Sequence, residues 1–189
     1  WLDHSTLAIR RVPATRGAPP MASGVPAGPV VQENLGQRAA ARTYDGLLAN
    51  AHDEALFEYY ATSELALVTL AGGITSLPIR GLITVVSPSP DCQYVMTQTL
   101  HRPFSYLVPT GRFPVTIAVN DRAGTEVFRV ADLPLAEGTV NGVRAGPRGV
   151  TWRADTPATL SWVQALPTGR TSADKKPLRD AWFTLAAPF

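Results

Sequence analysis

Apolar and polar positions change period once along this chain. Between residues 43 and 61, TYDGLLANAHDEALFEYYA, the residues Leu47, Leu48, Ala51, Ala55 and Tyr59 recur at spacings of three and four, which predicts a helix. Gly46 and Asn50 are poor helix formers, so a break is expected near Asn50. His52, Asp53 and Glu54 are consecutive and therefore point to different helix faces; they read as exposed polar residues, not as a ligand set. From residue 65 onward the pattern becomes that of strands. Leu65 to Leu70 and Ile74 to Leu77 flank Ala71-Gly72-Gly73, a hairpin signal. Leu82 to Val86 is a short apolar run of the kind buried on both faces. Tyr94 to Thr99 follows, and then Val115 to Val119 and Glu126 to Val130 around a hairpin loop at residues 120–124. Val150 to Trp152, Thr159 to Val163 and Trp182 to Leu185 complete the series. One more strand is expected near the start, in STLAIRRV at residues 5–12.

Residues 13 to 30 hold Pro13, Pro19, Pro20, Pro26 and Pro29 with Gly17, Gly24 and Gly28, which predicts an irregular or extended segment. Together with the helix it makes an insertion, residues 13–64, between the first strand and the rest.

An aspartate turn recurs ahead of the strands: WLDHSTLAIR with Asp3, SPSPDCQYVMTQ with Asp91, and WRADTPATLSWV with Asp155. Each has a Trp or Ser a few residues before the Asp and an apolar strand after it. Proline fixes φ and the carboxylate accepts backbone N–H bonds, so such a corner turns one strand sharply into the next. About four strands lie between the second and third corners, the strand order of a propeller blade. A β-sandwich also uses such corners; the hairpin after each corner favours the propeller. The fold class expected is therefore all-β, a partial β-propeller of four-stranded blades with a Pro-rich and short helical insertion. Residues 82–132 form one complete blade and residues 148–189 most of the next.

Composition supports one domain and excludes several functions. The chain has 189 residues, 45% of them hydrophobic and only 17% charged, with a mean hydropathy of +0.02. The net charge is +2 and the basic residues are scattered, so no nucleic-acid partner is expected. Turns are abundant, with 15 Gly and 17 Pro. No apolar run reaches the length of a membrane span. The chain opens on Trp1-Leu2-Asp3, without a basic start and apolar core, so no signal peptide is expected in it. Cys92 is the sole cysteine, which leaves no internal disulfide and no Cys-based zinc site. His4, His52 and His101 show no metal-ligand spacing, and no phosphate-binding or dinucleotide-binding glycine motif is present. No metal or other cofactor is expected.

One stretch invites a chemical reading. HRPFSYLVPTGR, from His101 to Arg112, interrupts a blade between its second and third strands. It brings Arg102 and Arg112 together with Phe104 and Tyr106, and guanidiniums bind carboxylates in a bidentate fork. Arg102, Tyr106 and Arg112 are thus candidates for holding an acidic group of a ligand. The plainer alternative is a packed loop on the propeller rim.

Several longer segments also resemble a known family. DEALFEYYATS from Asp53, HRPFSYLVPTGRFP from His101, ADLPLAE from Ala131, GPRGVTWRAD from Gly146 and PATLSWV from Pro157 look like the propeller of the glutamyl endopeptidase branch of the prolyl oligopeptidase family. The likeness implies an N-terminal propeller that caps a C-terminal α/β-hydrolase domain carrying a Ser-Asp-His triad. The substrate would be a peptide, cut after glutamate, which the propeller gates and orients. A periplasmic or secreted location is implied if the source is bacterial, and the chloroplast in plants. The chain departs from the pattern in three places. It contains no G-x-S-x-G, so it offers no catalytic residue of its own and is expected to be inactive alone. Cys92 follows Asp91 where the family usually has Gly; it would be strained if the left-handed backbone of that corner is kept. After Leu166 the chain reads PTGRTSADKK where a Gly-Gly-Asp turn is usual. The alternative is a non-enzymatic propeller that binds peptides or proteins.

Overall fold

The computed structural model describes residues 1–22, 44–137, 144–165 and 180–189. The described residues are mostly β-strand. The order is β1 (Thr6–Arg11), α1 (Ala51–Ala61), β2 (Ser63–Thr69), β3 (Ile74–Pro88), β4 (Tyr94–Leu100), a 3-10 turn (Thr110–Arg112), β5 (Val115–Asp121), β6 (Glu126–Leu133), β7 (Pro147–Trp152), β8 (Thr159–Ala165) and β9 (Asp180–Ala186). Strands β1 to β6 lie side by side in chain order, all antiparallel, and β7-β8-β9 form a separate antiparallel sheet. The chain is thus all-β in class, and no closed ring of blades is formed by these strands. The turn expected after Leu166 and the Pro-rich residues beyond 22 fall outside the described residues.

Sequence pattern predicts two strands between residues 74 and 86; the structure has one, β3, of 15 residues. Its first half pairs with β2 and its second half with β4. Pro78 and Gly81 look like breaks but serve the continuous strand. Pro78 stands where the β2 ladder skips, between the Glu64–Arg80 and Ala66–Ser76 pairs, so its missing N–H deprives no partner. At Gly81 a Cβ would lie 2.8 Å from the Thr99 methyl on β4, so only glycine allows the two strands this close.

Both faces of the second half of this sheet are buried. Val95 and Met96 are neighbours on β4 and point to opposite sides, as strand geometry requires, yet are only 1% and 2% exposed. Val95 packs with Leu2, Leu65, Leu77 and Ile83. Met96 packs with Val119, Val150, Trp152 and Leu160, across to β7 and β8. The four strands of this part, from Leu82 in β3 through β6, therefore stand as a layer between two others. Burying apolar side chains on both faces is the dominant stabilising term for such a layer.

The helix is shorter than its periodicity suggests. It begins at Ala51 because Asn50 caps it: the Asn50 side chain accepts the Asp53 N–H at 3.0 Å, and Asp53 Oδ2 accepts the Ala49 N–H at 2.9 Å. Asn50 marks the helix start, where the sequence suggested a break.

Candidate functional site

The corners explain the end of the sheets at which chain direction reverses. At the second corner Asp91 Oδ1 accepts the Gln93 N–H at 3.1 Å and the Ser89 hydroxyl at 2.6 Å, while Ser89 Oγ accepts the Tyr94 N–H at 3.0 Å. At the first, Asp3 Oδ1 accepts the Ser5 N–H at 2.9 Å. These are the same turn, a carboxylate capping the N–H two residues on. The third corner departs from expectation. The residue two beyond Asp155 is Pro157, which has no N–H to give, and Asp155 pairs with Arg153 instead, 2.9 Å from its Nε. Cys92 has φ of +61°, the left-handed conformation in which a side chain other than glycine's is strained.

The corners are also joined to one another. Arg122, in the β5–β6 hairpin, donates to Asp3 Oδ2 at 2.7 Å and to the Cys92 carbonyl at 2.8 Å. This guanidinium, with the Ser5 N–H second, holds the Asp3 carboxyl well below the usual carboxylate range. The Asp91 N–H donates to the Pro157 carbonyl at 2.9 Å, tying the second corner to the third. Open hollows of about 350 and 430 Å³ lie at these corners, one lined by Asp91 and Asp155 and the other by Trp1, His4 and Cys92.

The segment from His101 to Pro114 leaves β4 and returns to β5 through an apolar knot. Phe104, Val108 and Phe113 are buried with Leu82, and Phe57 of α1 packs onto them. The three rings meet in pairs, Phe57–Phe104 at 5.3 Å, Phe57–Phe113 at 6.0 Å and Phe104–Phe113 at 5.2 Å between centroids. Burial of Phe104 and Phe113 makes this a packed segment with a structural anchor.

Of the three candidate residues, two stand together. Arg102 donates from Nε to Glu58 Oε1 at 2.9 Å, from Nη2 to Glu58 Oε2 at 2.8 Å and from Nη1 to Glu54. It also lies over the Phe104 ring, 5.0 Å from its centroid. Glu58 first and Glu54 second push the guanidinium further above its ordinary value, so its charge is fixed. Tyr106 shares Glu54: burial first, then this carboxylate, push the phenol up, so it stays protonated and able to donate. Glu54 and Glu58 sit one turn apart on α1, and that i, i+4 spacing was the signal available in the sequence for a two-carboxylate face opposite an arginine. Arg112 lies at the other end of the segment. Its carbonyl accepts the Ala136 N–H at 3.0 Å and its Nη1 is 3.5 Å from the Ala136 carbonyl.

Near Arg112 stands Arg144. Its Nη2 lies 2.7 Å from the Pro134 carbonyl, 2.9 Å from that of Phe113 and 3.2 Å from that of Leu133. Burial, with the nearby Arg112 charge second, pushes this guanidinium below its ordinary value. Arg144 thus gathers the strand ends beyond the 3-10 turn and β6. Among the described residues no group of His, Cys, Asp and Glu is placed to hold a metal ion, and no helix is long and apolar enough to cross a membrane.

Comparison with known proteins decides what this arrangement is related to. The chain is 38% identical over 192 residues to a probable chloroplastic glutamyl endopeptidase of Oryza sativa subsp. japonica, an alignment that takes in all of this chain and 20% of that protein. The same figures hold for the probable chloroplastic glutamyl endopeptidase of Arabidopsis thaliana. The chain is a homologue of part of the glutamyl endopeptidases. It spans one fifth of the length of these relatives. No family model matches it, and no solved structure matches it. The glutamyl endopeptidase resemblance carried by DEALFEYYATS, HRPFSYLVPTGRFP and GPRGVTWRAD thus holds along the whole chain.

Proposed function

We propose that this chain is part of the β-propeller of a serine peptidase of the prolyl oligopeptidase family, glutamyl endopeptidase branch. The observation that carries this reading is the 38% identity to glutamyl endopeptidases along the entire chain. The architecture supports it: a four-stranded antiparallel meander from Leu82 to Leu133, buried on both faces by the sheets before and after it, has the shape of a blade. On this reading β1 to the first half of β3 are the end of the preceding blade, and β7 to β9 most of the following one. The partner is the α/β-hydrolase domain that carries the nucleophile, and the propeller gates and orients the peptide.

Within this reading the segment from His101 to Pro114 faces the peptide. Arg102 has its Nε and both terminal nitrogens engaged by Glu54 and Glu58 and acts by holding the segment to α1. Tyr106, which shares Glu54, and Arg112, at the other end of the segment, are the residues proposed to meet an acidic side chain. The test is made in the full-length polypeptide that contains this chain, with matched peptides carrying Glu or Gln at the cleaved position. Turnover that prefers Glu and is blocked by a fluorophosphonate serine probe is the expected result. Absence of turnover together with absence of labelling would overturn the peptidase reading. If Arg112→Ala and Tyr106→Phe both leave the Glu-over-Gln ratio of kcat/KM unchanged, the segment does not read charge.

A further inference from the structure

His101 sits at the root of the 101–114 segment and is tied three ways. Its backbone N–H donates to the Pro114 carbonyl at 3.1 Å, closing the base of the segment where β4 leaves and β5 begins. Its ring Nδ1 is 2.7 Å from the Arg102 carbonyl oxygen. Its ring Nε2 is 2.8 Å from Asp132 Oδ1 on β6. Both ring nitrogens therefore face oxygens that can only accept. A neutral imidazole has one N–H and one lone pair, and satisfies one of these contacts. The doubly protonated ring, with two N–H groups, satisfies both.

We propose that His101 is a proton-operated latch that holds the root of this segment, and through it the seating of Arg102 on helix α1. The two carboxylates that take up Arg102 lie on α1, and the carbonyl that His101 holds belongs to Arg102 itself. Fixing that carbonyl fixes the origin of a long side chain whose far end must meet Glu54 and Glu58 together. When the ring loses a proton, one nitrogen presents a lone pair to an oxygen at contact distance, and that bond becomes a repulsion. The segment root then stays joined to β5 by the His101 N–H but is released either from β6 or from the Arg102 carbonyl.

The surroundings suit such a device. The His101 and Asp132 side chains are about half exposed, so solvent protons reach them. Charged groups around the latch are Asp132 and Arg129 on β6, Arg102 in the segment, and Glu54 and Glu58 on α1; β5 contributes the uncharged Thr116, whose hydroxyl also reaches Asp132 Oδ1 at 3.5 Å. Histidine is the side chain type that changes charge between about pH 5 and 8.

Amide hydrogen exchange on the full-length polypeptide tests the proposal, with rates corrected for the intrinsic effect of pH. Protection of peptides from residues 101–114 and from α1 is expected to fall about three- to tenfold between about pH 5.5 and pH 8.5, while β4 and β5 stay unchanged. His101→Gln, whose side chain does not titrate, is expected to give protection in both peptides that no longer varies with pH. Protection that is flat across this range in the unaltered protein, or a pH dependence that survives in His101→Gln, overturns the latch. Should His101→Gln fail to fold, Asp132→Asn decides: an amide presents either its oxygen or its NH2 to Nε2, so both states of the ring are satisfied there and the pH dependence of protection is expected to shrink, and an unchanged pH dependence overturns the proposal.

Discussion

The guanidinium of Arg122 lies 2.7 Å from the carboxylate of Asp3, a residue at the other end of the six-stranded sheet, and its second amino group holds the Cys92 carbonyl at 2.8 Å. One side chain in a hairpin thus fastens two corners that are far apart in sequence. Because Asp3 is held below the usual carboxylate range by this contact, its contribution to stability is present above about pH 4 and is lost as pH falls below that value. Arg122→Ala is expected to lower the urea midpoint at neutral pH and to flatten the acid limb of the stability profile. Urea titrations of both proteins at several pH values below neutrality check this.

Met96→Ala is expected to destabilise the protein by about 2–5 kcal/mol, through lost burial and the cavity left between the larger sheet and β7–β8. Val95→Ala, one residue away, opens the other interface. Native-state tryptophan fluorescence distinguishes them: it is expected to respond more to the Met96 change, since Trp152 belongs to the Met96 core and Trp162 packs against it, while Val95 belongs to the other core.

Cys92→Gly is expected to stabilise by about 0.5–1 kcal/mol, the cost of a side chain in the left-handed region less the backbone entropy glycine adds to the unfolded chain. Cys92→Val is expected to destabilise, since a branched side chain fits that backbone worse. Thermal unfolding of the pair against the parent measures both, and equal midpoints for Gly and Val would contradict the strain.

The pairing of Arg102 with Glu58 is expected to show a coupling of about 0.5–1 kcal/mol in a double-mutant cycle, the range of a well-formed but solvent-screened ion pair. Arg102→Lys is expected to recover little of it, because an ammonium cannot bond Glu54 and Glu58 as a fork does.

The isolated 189-residue chain is expected to self-associate. Trp182 is 63% exposed and Phe183 39% on β9, and Phe183 stacks on Trp162 at 5.8 Å rather than under a further layer. Size-exclusion chromatography across a concentration series would show this, and Trp182→Ser with Phe183→Ser should shift the profile toward monomer.

How far the sequence anticipated the molecule depends on whether an element is fixed by its own residues. The second corner was legible because Ser89, Asp91 and Tyr94 satisfy one another within six positions. Helix α1 is legible in its periodic half, and Asn50 reads from the sequence as a weak helix former; only its side chain on the Asp53 N–H shows it to be a cap. Strand β3 reads from the sequence as two strands because Pro78 and Gly81 break strands on average, and what accommodates them, a skipped ladder position and the close approach of Thr99 on another strand, is not local. The same holds for the candidate site. Arg102 could be singled out from its own neighbours, but its partners lie 44 and 48 residues away on a helix, and a list of charges does not reveal which opposite charges meet. The Trp152 indole, which donates to the Ser87 carbonyl at 2.8 Å across two sheets, was legible only as an apolar residue of a strand.

Strand β3 serves as a wall common to two rooms. Its first residues close the sheet begun by β1, and its last ones open the sheet completed by β6, with no loop between. The two sheets therefore have no hinge between them, since turning one against the other would bend a hydrogen-bonded ladder rather than a flexible connection. A protease that nicks exposed turns would leave this junction whole. To separate the two sheets as expressible halves, the cut would have to be made inside the strand, at Gly81, and each half would then carry a newly exposed strand end that seeks the other.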